Sequence, residues 1–154
     1  MNYIKESEEI LKVHRKLYYS LQTLNKRRKK LVFNGAPKMP GAIEYNKPAI
    51  QHMDYSEDTF NDMCEIMDIN RQIVETEEEM KIVNDILEEI KKEDVTLETF
   101  LRLKYITDYK KSMGEIAQEL GYSSESNKTI YNIKTRALRE FAIRYFGARG
   151  AKSV

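Results

Sequence analysis

The sequence is poor in cysteine, proline, glycine and tryptophan. Its one cysteine, Cys64, cannot form a disulfide within the chain, which fits a reducing cytoplasm. Three prolines and six glycines in 154 residues leave room for long uninterrupted helices. No apolar run approaches the ~20 residues that span a bilayer, so we expect no membrane segment. These scarcities predict an all-α protein.

Catalytic and metal-binding patterns are also missing. The sequence has no glycine-rich phosphate loop and no nucleophile with a base at a recognisable spacing. Its two histidines, His14 and His52, stand apart from any cluster of metal-ligand residues, and both are expected at the surface or in a loop. We therefore expect no enzyme activity, no cofactor and no metal site.

Net charge is close to zero, at +1, but it is strongly segregated along the chain. Residues 1–33 hold nine Lys and Arg against three Glu, whereas residues 54–93 hold four against fourteen Asp and Glu. Residues 94–154 are basic again, with eleven against seven. Two basic ends could attract a polyanion, while the carboxylates of the acidic middle are expected to line the solvated faces of a helix.

The N-terminal third reads as one basic helix followed by a loop. Apolar residues recur every seven positions over 4–33, and a run of five cations closes this segment. These five cations either form a solvated helix end that complements the helix dipole or contact phosphates. They are Lys26, Arg27, Arg28, Lys29 and Lys30. Turn residues around Pro37 and Pro40 then predict a loop over 34–56.

An acidic helix with a heptad pattern is predicted over 57–93. Two columns of mostly apolar residues recur every seven positions, which is typical of a coiled-coil seam. The seam residues proposed to contact a second chain or another partner are Ile66, Ile69, Ile73, Met80, Val83, Leu87 and Ile90. Cys64 lies near this face as a small core residue. The acidic helix could pair with the basic helix as an antiparallel hairpin, within one chain or across a homodimer.

The segment 94–147 carries the most specific local pattern. Ser112 stands three residues before Glu115, the spacing of a reciprocal capping box at a helix start. Gly121 follows at the left-handed position that ends many helices. A helix over 97–107, capped by Thr96, is expected before this one.

A long basic helix is predicted after the glycine, from about residue 126 to 146, and residues 148–154 are expected to form a flexible tail. One face of this helix is apolar and the other carries hydrogen-bonding side chains suited to base edges. The candidate base readers are Lys128, Tyr131, Asn132, Thr135 and Arg136. The candidate phosphate contacts are Lys110, Lys111, Lys134 and Arg139.

Residues 97–146 resemble region 4 of the sigma-70 family. The resemblance rests on Phe100-Leu101-Arg102-Leu103-Lys104-Tyr105, on residues 113–121, on Thr129-Ile130 and on residues 134–141. With the long N-terminal part included, the chain resembles the RinA/ArpU/LtrC-like late transcription regulators of phages and prophages. Residues 124–127 depart from that pattern as an insertion in the turn.

The resemblance implies a helix-turn-helix that enters the major groove of double-stranded DNA. It also implies an activator of late genes in a bacterial cytoplasm, with RNA polymerase as a partner. Two alternatives remain open on sequence alone. One is a small terminase subunit that packages phage DNA, and the other is a protein-interaction module that acts on RNA polymerase or another regulator without touching DNA.

Overall fold

The structure, a computed structural model, describes residues 2–35, 57–123 and 127–152. These residues form six α-helices, one π-helical turn and no strand, so the all-α prediction is confirmed. The helices are α1 (Tyr3–Gly35), α2 (Glu57–Glu93), α3 (Val95–Leu101), α4 (Met113–Glu119), α5 (Asn127–Phe146) and α6 (Ala148–Lys152), with the π-helical turn at Arg102–Ile106. Most of the predicted loop 34–56 and residues 124–126 of the predicted insertion lie outside the described residues.

The chain divides into two compact units. Unit 1 comprises Met1–Tyr19 and Glu78–Val154, and unit 2 comprises Ser20–Glu77. Both long helices contribute to both units, so the division falls inside α1 and α2 instead of at the predicted boundaries 33 and 93.

Unit 1 has a hydrophobic core to which α1, α2, α3, α4 and α5 all contribute. Leu11, Phe100, Ile116 and Phe141 are all completely buried there. Burying side chains of this size contributes ~1.5–3 kcal/mol each. The part of α1 up to Tyr19 therefore packs with the C-terminal domain that the sequence pattern assigned to 94–147.

Unit 2 has a smaller core. Leu24 of α1 packs with Ile69 and Ile73 of α2, and Leu21 and Leu31 cover the cluster. An ion pair joins Arg27 to Glu65 at 2.7 Å, and pairs of this exposed kind contribute only ~0–1 kcal/mol.

The proposed partner seam packs inside the chain. Ile69 and Ile73 are buried in unit 2, and Val83, Leu87 and Ile90 are buried in unit 1. Ile66 and Met80 are half-buried. A heptad pattern marks which face is buried but not which chain covers it, and here other residues of the same chain cover the buried members of the seam. Helix α2 also leaves Phe60, Met63, Met67 and Val74 exposed.

Two local expectations are wrong for the same reason, because a pattern read along one helix does not show what packs on it. Cys64 is exposed and not part of a core. His14, expected at the surface, is buried at 4% exposure. In the described part of the chain, no helix is both long and apolar enough to cross a bilayer.

The C-terminal residues 148–152 are a helix, not the predicted flexible tail. Gly147 adopts a left-handed conformation, with φ at 59°, and turns the chain back after α5. Gly150 is buried, and a Cβ at this position would overlap the backbone carbonyl of Ala142. The glycine therefore allows α6 to lie directly against the backbone of α5.

Replacing Gly150 with Ala is expected to destabilise the protein by ~1–3 kcal/mol, because the clash is with backbone atoms that cannot rotate away. Gly114→Ala is the matched control, since its nearest neighbour, Ser112 Oγ, would lie 4.0 Å from the new Cβ. We expect the control to be neutral or stabilising by up to about 1 kcal/mol. Chemical denaturation of both variants measures the difference, and equal stabilities would refute the close packing of α6.

The buried imidazole of His14 makes folding sensitive to pH. Burial lowers the pKa of His14 below its usual value of 6.5; the Met80 backbone opposes this shift and the charge of Arg102 adds to it. Neither ring nitrogen has a hydrogen bond of normal geometry within the described residues. The folded state therefore favours the neutral ring, and its stabilising contribution is complete above about pH 6.5 and decreases as the pH falls below that value.

The free energy of unfolding should consequently fall between about pH 7.5 and pH 5.5. His14→Leu should remove this component of the pH dependence, whereas His52→Gln, at the only other histidine, should retain it. Denaturant titrations at a series of pH values give the comparison. A pH dependence that is identical in all three proteins would contradict the role of His14.

Candidate nucleic-acid interface

The short helix α4 is held at both ends by local hydrogen bonds. Ser112 Oγ accepts from the backbone N–H of Glu115 at 3.3 Å, and the Glu115 carboxylate accepts from the Ser112 N–H at 2.9 Å. This is the capping box that the spacing predicts. At seven residues the helix is too short to be stable in water alone, so it depends on these caps and on burial of Ile116 and Ala117.

A left-handed glycine ends the same helix. Gly121 has φ at 85°, and its N–H donates to the Gln118 carbonyl at 3.1 Å. The Tyr122 N–H donates to the Ala117 carbonyl at 2.8 Å. These two bonds form a Schellman motif, which directs the chain away from α4 toward α5.

The helix before α4 differs from the expectation. It begins at Val95 because the Asp94 carboxylate accepts from the N–H groups of Thr96 and Leu97, so Asp94 and not Thr96 is the cap. It ends as an α-helix at Leu101 and continues as the π-helical turn Arg102–Ile106.

The first three turns of α5 have one buried side and one solvent-exposed side. Ile130, Ile133 and Ala137 are buried in the core of unit 1. The five candidate base readers are exposed: Lys128, Tyr131, Asn132, Thr135 and Arg136. We call these five residues the α5 face.

Two members of the α5 face have partners within the chain. Thr135 Oγ1 donates to the Tyr131 carbonyl at 3.0 Å, which leaves the hydroxyl lone pairs free to accept. Arg136, whose side chain is 65% exposed, lies 3.6 Å from the Asp94 carboxylate. An ion pair this long and this exposed holds the guanidinium only weakly.

Helix α6 limits the α5 face on its C-terminal side. Ala142 is seven residues after Thr135 and so lies on the same side of α5, yet it is completely buried where α6 packs. Arg139, three residues before Ala142, is half-buried, and its Nε has no hydrogen-bonding partner in the part of the chain that the structure describes. The solvent-exposed part of this side is therefore the N-terminal half of α5. Arg139 lies at its boundary, next to the part that α6 covers.

The other candidate phosphate contacts differ in how free they are. Lys110 is exposed and forms no ion pair with any described residue. Lys111 is paired with Glu119, and Lys134 is paired with Glu8 at 3.1 Å. An existing carboxylate partner competes with a phosphate, so Lys110 is the strongest of the three candidates.

The basic run of α1 belongs to unit 2. Arg27 pairs with Glu65, and Arg28 donates to the Asn70 side-chain carbonyl at 3.3 Å. The exposed members of the run are Lys26, Arg27, Lys29 and Lys30. Within unit 2 this run is therefore a solvated cationic surface with two of its members held by neighbours on α2.

One contact that fixes α5 has no signal in the sequence. Glu8 Oε1 accepts from the Tyr105 hydroxyl at 2.9 Å and from Lys134 Nζ at 3.1 Å. Burial alone would raise the pKa of Glu8, but these two hydrogen bonds and the charges of Lys134 and Lys12 lower it. Burial, together with the bond to Glu8, raises the pKa of Tyr105. A charged Glu8 therefore joins α1, the π-helical turn and α5.

Comparison of the chain with known protein families, with characterised proteins and with solved structures finds no match. Within the described ranges there is also no group of three or more His, Cys, Asp or Glu residues that could hold a metal ion. The interpretation of the α5 face therefore depends on its own geometry and chemistry.

The cap of α4 provides a test of how this region is held. Ser112→Ala should lower the free energy of unfolding by ~0.5–2 kcal/mol, because it removes the acceptor for the Glu115 N–H. Ser112→Asp keeps an acceptor at the same position and should stay near the stability of the unmodified protein. Chemical denaturation of the two variants provides the measurement, and equal losses in both would argue against the capping bond.

Proposed function

We propose that this protein is a sequence-specific regulator of transcription that binds double-stranded DNA. In this proposal α4, the Gly121 turn and α5 act as a helix-turn-helix, and the α5 face enters the major groove. The observation that carries the proposal is the two-sidedness of α5. Its apolar side is buried in the core of unit 1, while five adjacent side chains able to hydrogen-bond remain exposed over its first three turns.

The chemistry of these side chains suits base edges. An Asn amide such as that of Asn132 can bond adenine N6 and N7 together, and Lys128 or Arg136 can donate to guanine O6 and N7. Tyr131 is 55% exposed and offers both a ring and a hydroxyl. Thr135 keeps an acceptor oxygen, and its methyl group can contact the thymine methyl.

The position of the face on the helix also favours this role. Helix-turn-helix proteins contact bases mainly through the N-terminal residues of the second helix. Here α6 covers the C-terminal half of the same side of α5, so the N-terminal half is the part open to a ligand. The surplus of cations over carboxylates in residues 94–154 adds non-specific attraction to DNA.

The wider biological setting belongs to the same proposal. The resemblance to sigma region 4 and to phage late regulators favours a phage or prophage activator of late genes that works in a bacterial cytoplasm with RNA polymerase. Binding as a homodimer would place two copies of the α5 face on two half-sites. The exposed apolar side chains of α2, among them Phe60 and Met67, are the candidate surface for that contact.

Selection of bound duplexes from a pool of random sequences tests base reading with no operator chosen in advance. The unmodified protein should enrich a defined motif. Asn132→Ala should weaken discrimination at one base pair by ~1–3 kcal/mol if Asn132 makes a bidentate contact. Asn84→Ala, which removes the same amide from α2, should leave the motif and the affinity unchanged.

Equal losses on every DNA sequence would remove Asn132 from the base readers. If the unmodified protein enriched no motif at all while binding duplexes in proportion to their length, sequence-specific regulation would be refuted. Absence of any duplex binding near physiological salt would refute the proposal as a whole.

A further inference from the structure

A cationic groove lies in unit 1 beside the α5 face. It has a volume of about 610 Å³ and is formed by the first part of α1, the π-helical turn, the segment before α4 and helix α5. Six basic side chains line it: Lys12, Arg15, Lys16, Lys104, Lys110 and Lys134. Only two carboxylates do so, those of Glu8 and Glu9. We call this feature the basic groove.

Half of these cations already have partners. Lys12 pairs with Glu9 at 2.9 Å, and Lys134 pairs with Glu8. Arg15 donates to the backbone carbonyl of Asp108, while the Asp108 carboxylate accepts from the Tyr19 hydroxyl at 3.0 Å. The carboxylates nearest the groove are thus engaged by other groups.

The remaining three cations are free of such partners. Lys16, Lys104 and Lys110 form no ion pair with any residue that the structure describes, and they come from three different segments of the chain. Lys16 and Lys110 are exposed, and Lys104 is half-buried. Their convergence leaves an excess of positive charge in the groove, with six basic side chains against two carboxylates.

The electrostatics of Lys104 reflect this crowding. Burial lowers the pKa of Lys104, and repulsion from Lys134, Lys110 and Lys12 lowers it further, against the opposing effect of Glu8. Mutual repulsion among lysines stores unfavourable energy that a bound anion would relieve. The groove therefore has the electrostatic character of an anion site.

The groove adjoins both helices that are proposed to contact DNA. Lys134 is three residues after Tyr131, and residues at this spacing are neighbours on a helix surface. Lys110 is two residues before Ser112, the cap of α4. A strand of DNA whose bases met the α5 face would present its phosphates to this side of the domain.

We propose that the basic groove binds phosphates of the DNA backbone, with Lys16, Lys104 and Lys110 as the contacting residues. This inference rests on the proposed function and extends it, because it makes the first helix part of the DNA-binding surface. Contacts of this type position a protein on the duplex without reading its sequence. Lys12 and Lys134 strengthen the local field while paired to Glu9 and Glu8.

A free phosphorylated molecule is the competing occupant, because the volume of the groove falls within the range of small-molecule sites. The location favours DNA, since the groove opens beside the α5 face. The two sources of phosphate separate in an experiment that uses duplex DNA in one arm and a free nucleoside triphosphate in the other.

The test is a triple variant, Lys16→Gln, Lys104→Gln and Lys110→Gln, titrated with duplex DNA over a series of salt concentrations. Each phosphate contact contributes about 0.9 to the slope of log affinity against log salt. The slope should therefore fall by about 2–3, with an affinity loss of on the order of tenfold or more near 0.1 M salt. The loss should be equal on the selected motif and on unrelated duplexes.

The matched control removes the same charge elsewhere in unit 1. Lys81, Lys91 and Lys92 are exposed on α2 and do not line the groove. Changing these three to Gln should reduce the slope by less than one unit. Circular dichroism and thermal unfolding of both triple variants check that each remains folded.

A variant that is expected to bind DNA more tightly excludes misfolding as the explanation, because a misfolded protein would not gain affinity. Glu9→Gln removes a carboxylate from the groove and with it the closer ion-pair partner of Lys12, which among the described residues keeps only Glu8 at 3.9 Å. It should raise affinity for every duplex by several-fold and increase the salt slope by up to about one unit. An affinity that falls or stays constant in Glu9→Gln counts against the basic groove as a phosphate site.

The outcomes separate this inference from the function on which it rests. Unmodified protein that binds duplex DNA, together with a groove variant of unchanged slope, overturns the inference and leaves the proposed function standing. No duplex binding by the unmodified protein overturns the proposed function itself. Micromolar binding of a nucleoside triphosphate that the groove variant loses, with no change in the DNA slope, would also overturn the inference and assign the groove to a free ligand.

Discussion

The constraint on which unit 1 depends is the shortness of two of its helices, α3 and α4. Helices α3 and α4 have seven residues each, far below the length at which a helix is stable in water by itself. Their shape comes from the shared core around Phe100, Ile116 and Phe141, which buries side chains from every long and short helix that meets there. If any one of these helices no longer packed into the core, α4 would lose its support and α5 would lose its orientation.

The first helix is one of those that pack into this core. Leu11 is completely buried, and Glu8 receives hydrogen bonds from the π-helical turn and from α5. These contacts give residues 3–19 a structural role in the C-terminal domain. They also bring the cations of α1 to the edge of the surface proposed to bind DNA, so the same segment both supports and extends that surface.

How much of this could be predicted from sequence depended on how far apart the interacting residues are. The capping box of α4 and the glycine that ends it involve residues within one or two helical turns, so their spacing alone was informative. The bonds of Glu8 to Tyr105 and Lys134 span 97 and 126 positions and leave no local trace. For that reason the α5 face, which lies on one helix, could be predicted, whereas the meeting of α1 and Lys104 with Lys110 and Lys134 in the basic groove could not.

The heptad periodicity of α2 identifies the buried face of the helix but not the segments that pack against it. The heptad pattern of α2 located buried residues such as Ile73 and Leu87, yet it could not show that α1, α3 and α5 of the same chain cover them. The burial of His14 could not be predicted either, because an isolated polar residue in a sequence does not show which helices pack over it. The sequence does not predict the helix after Gly147, because small residues favour both loose ends and close helix packing, and only the contact of Gly150 with the Ala142 backbone distinguishes the two.

The exposure of Cys64 has a practical consequence for studying the molecule. It is the only cysteine of the chain and lies on α2 within unit 2, whereas the α5 face and the basic groove belong to unit 1. A thiol-reactive dye would therefore attach at a single defined place, without mutagenesis, on the unit that contains neither surface. Its fluorescence anisotropy would follow DNA binding without a reporter group on the α5 face or in the basic groove, whereas a dye between Phe60 and Met67 would occupy the candidate surface for a second chain.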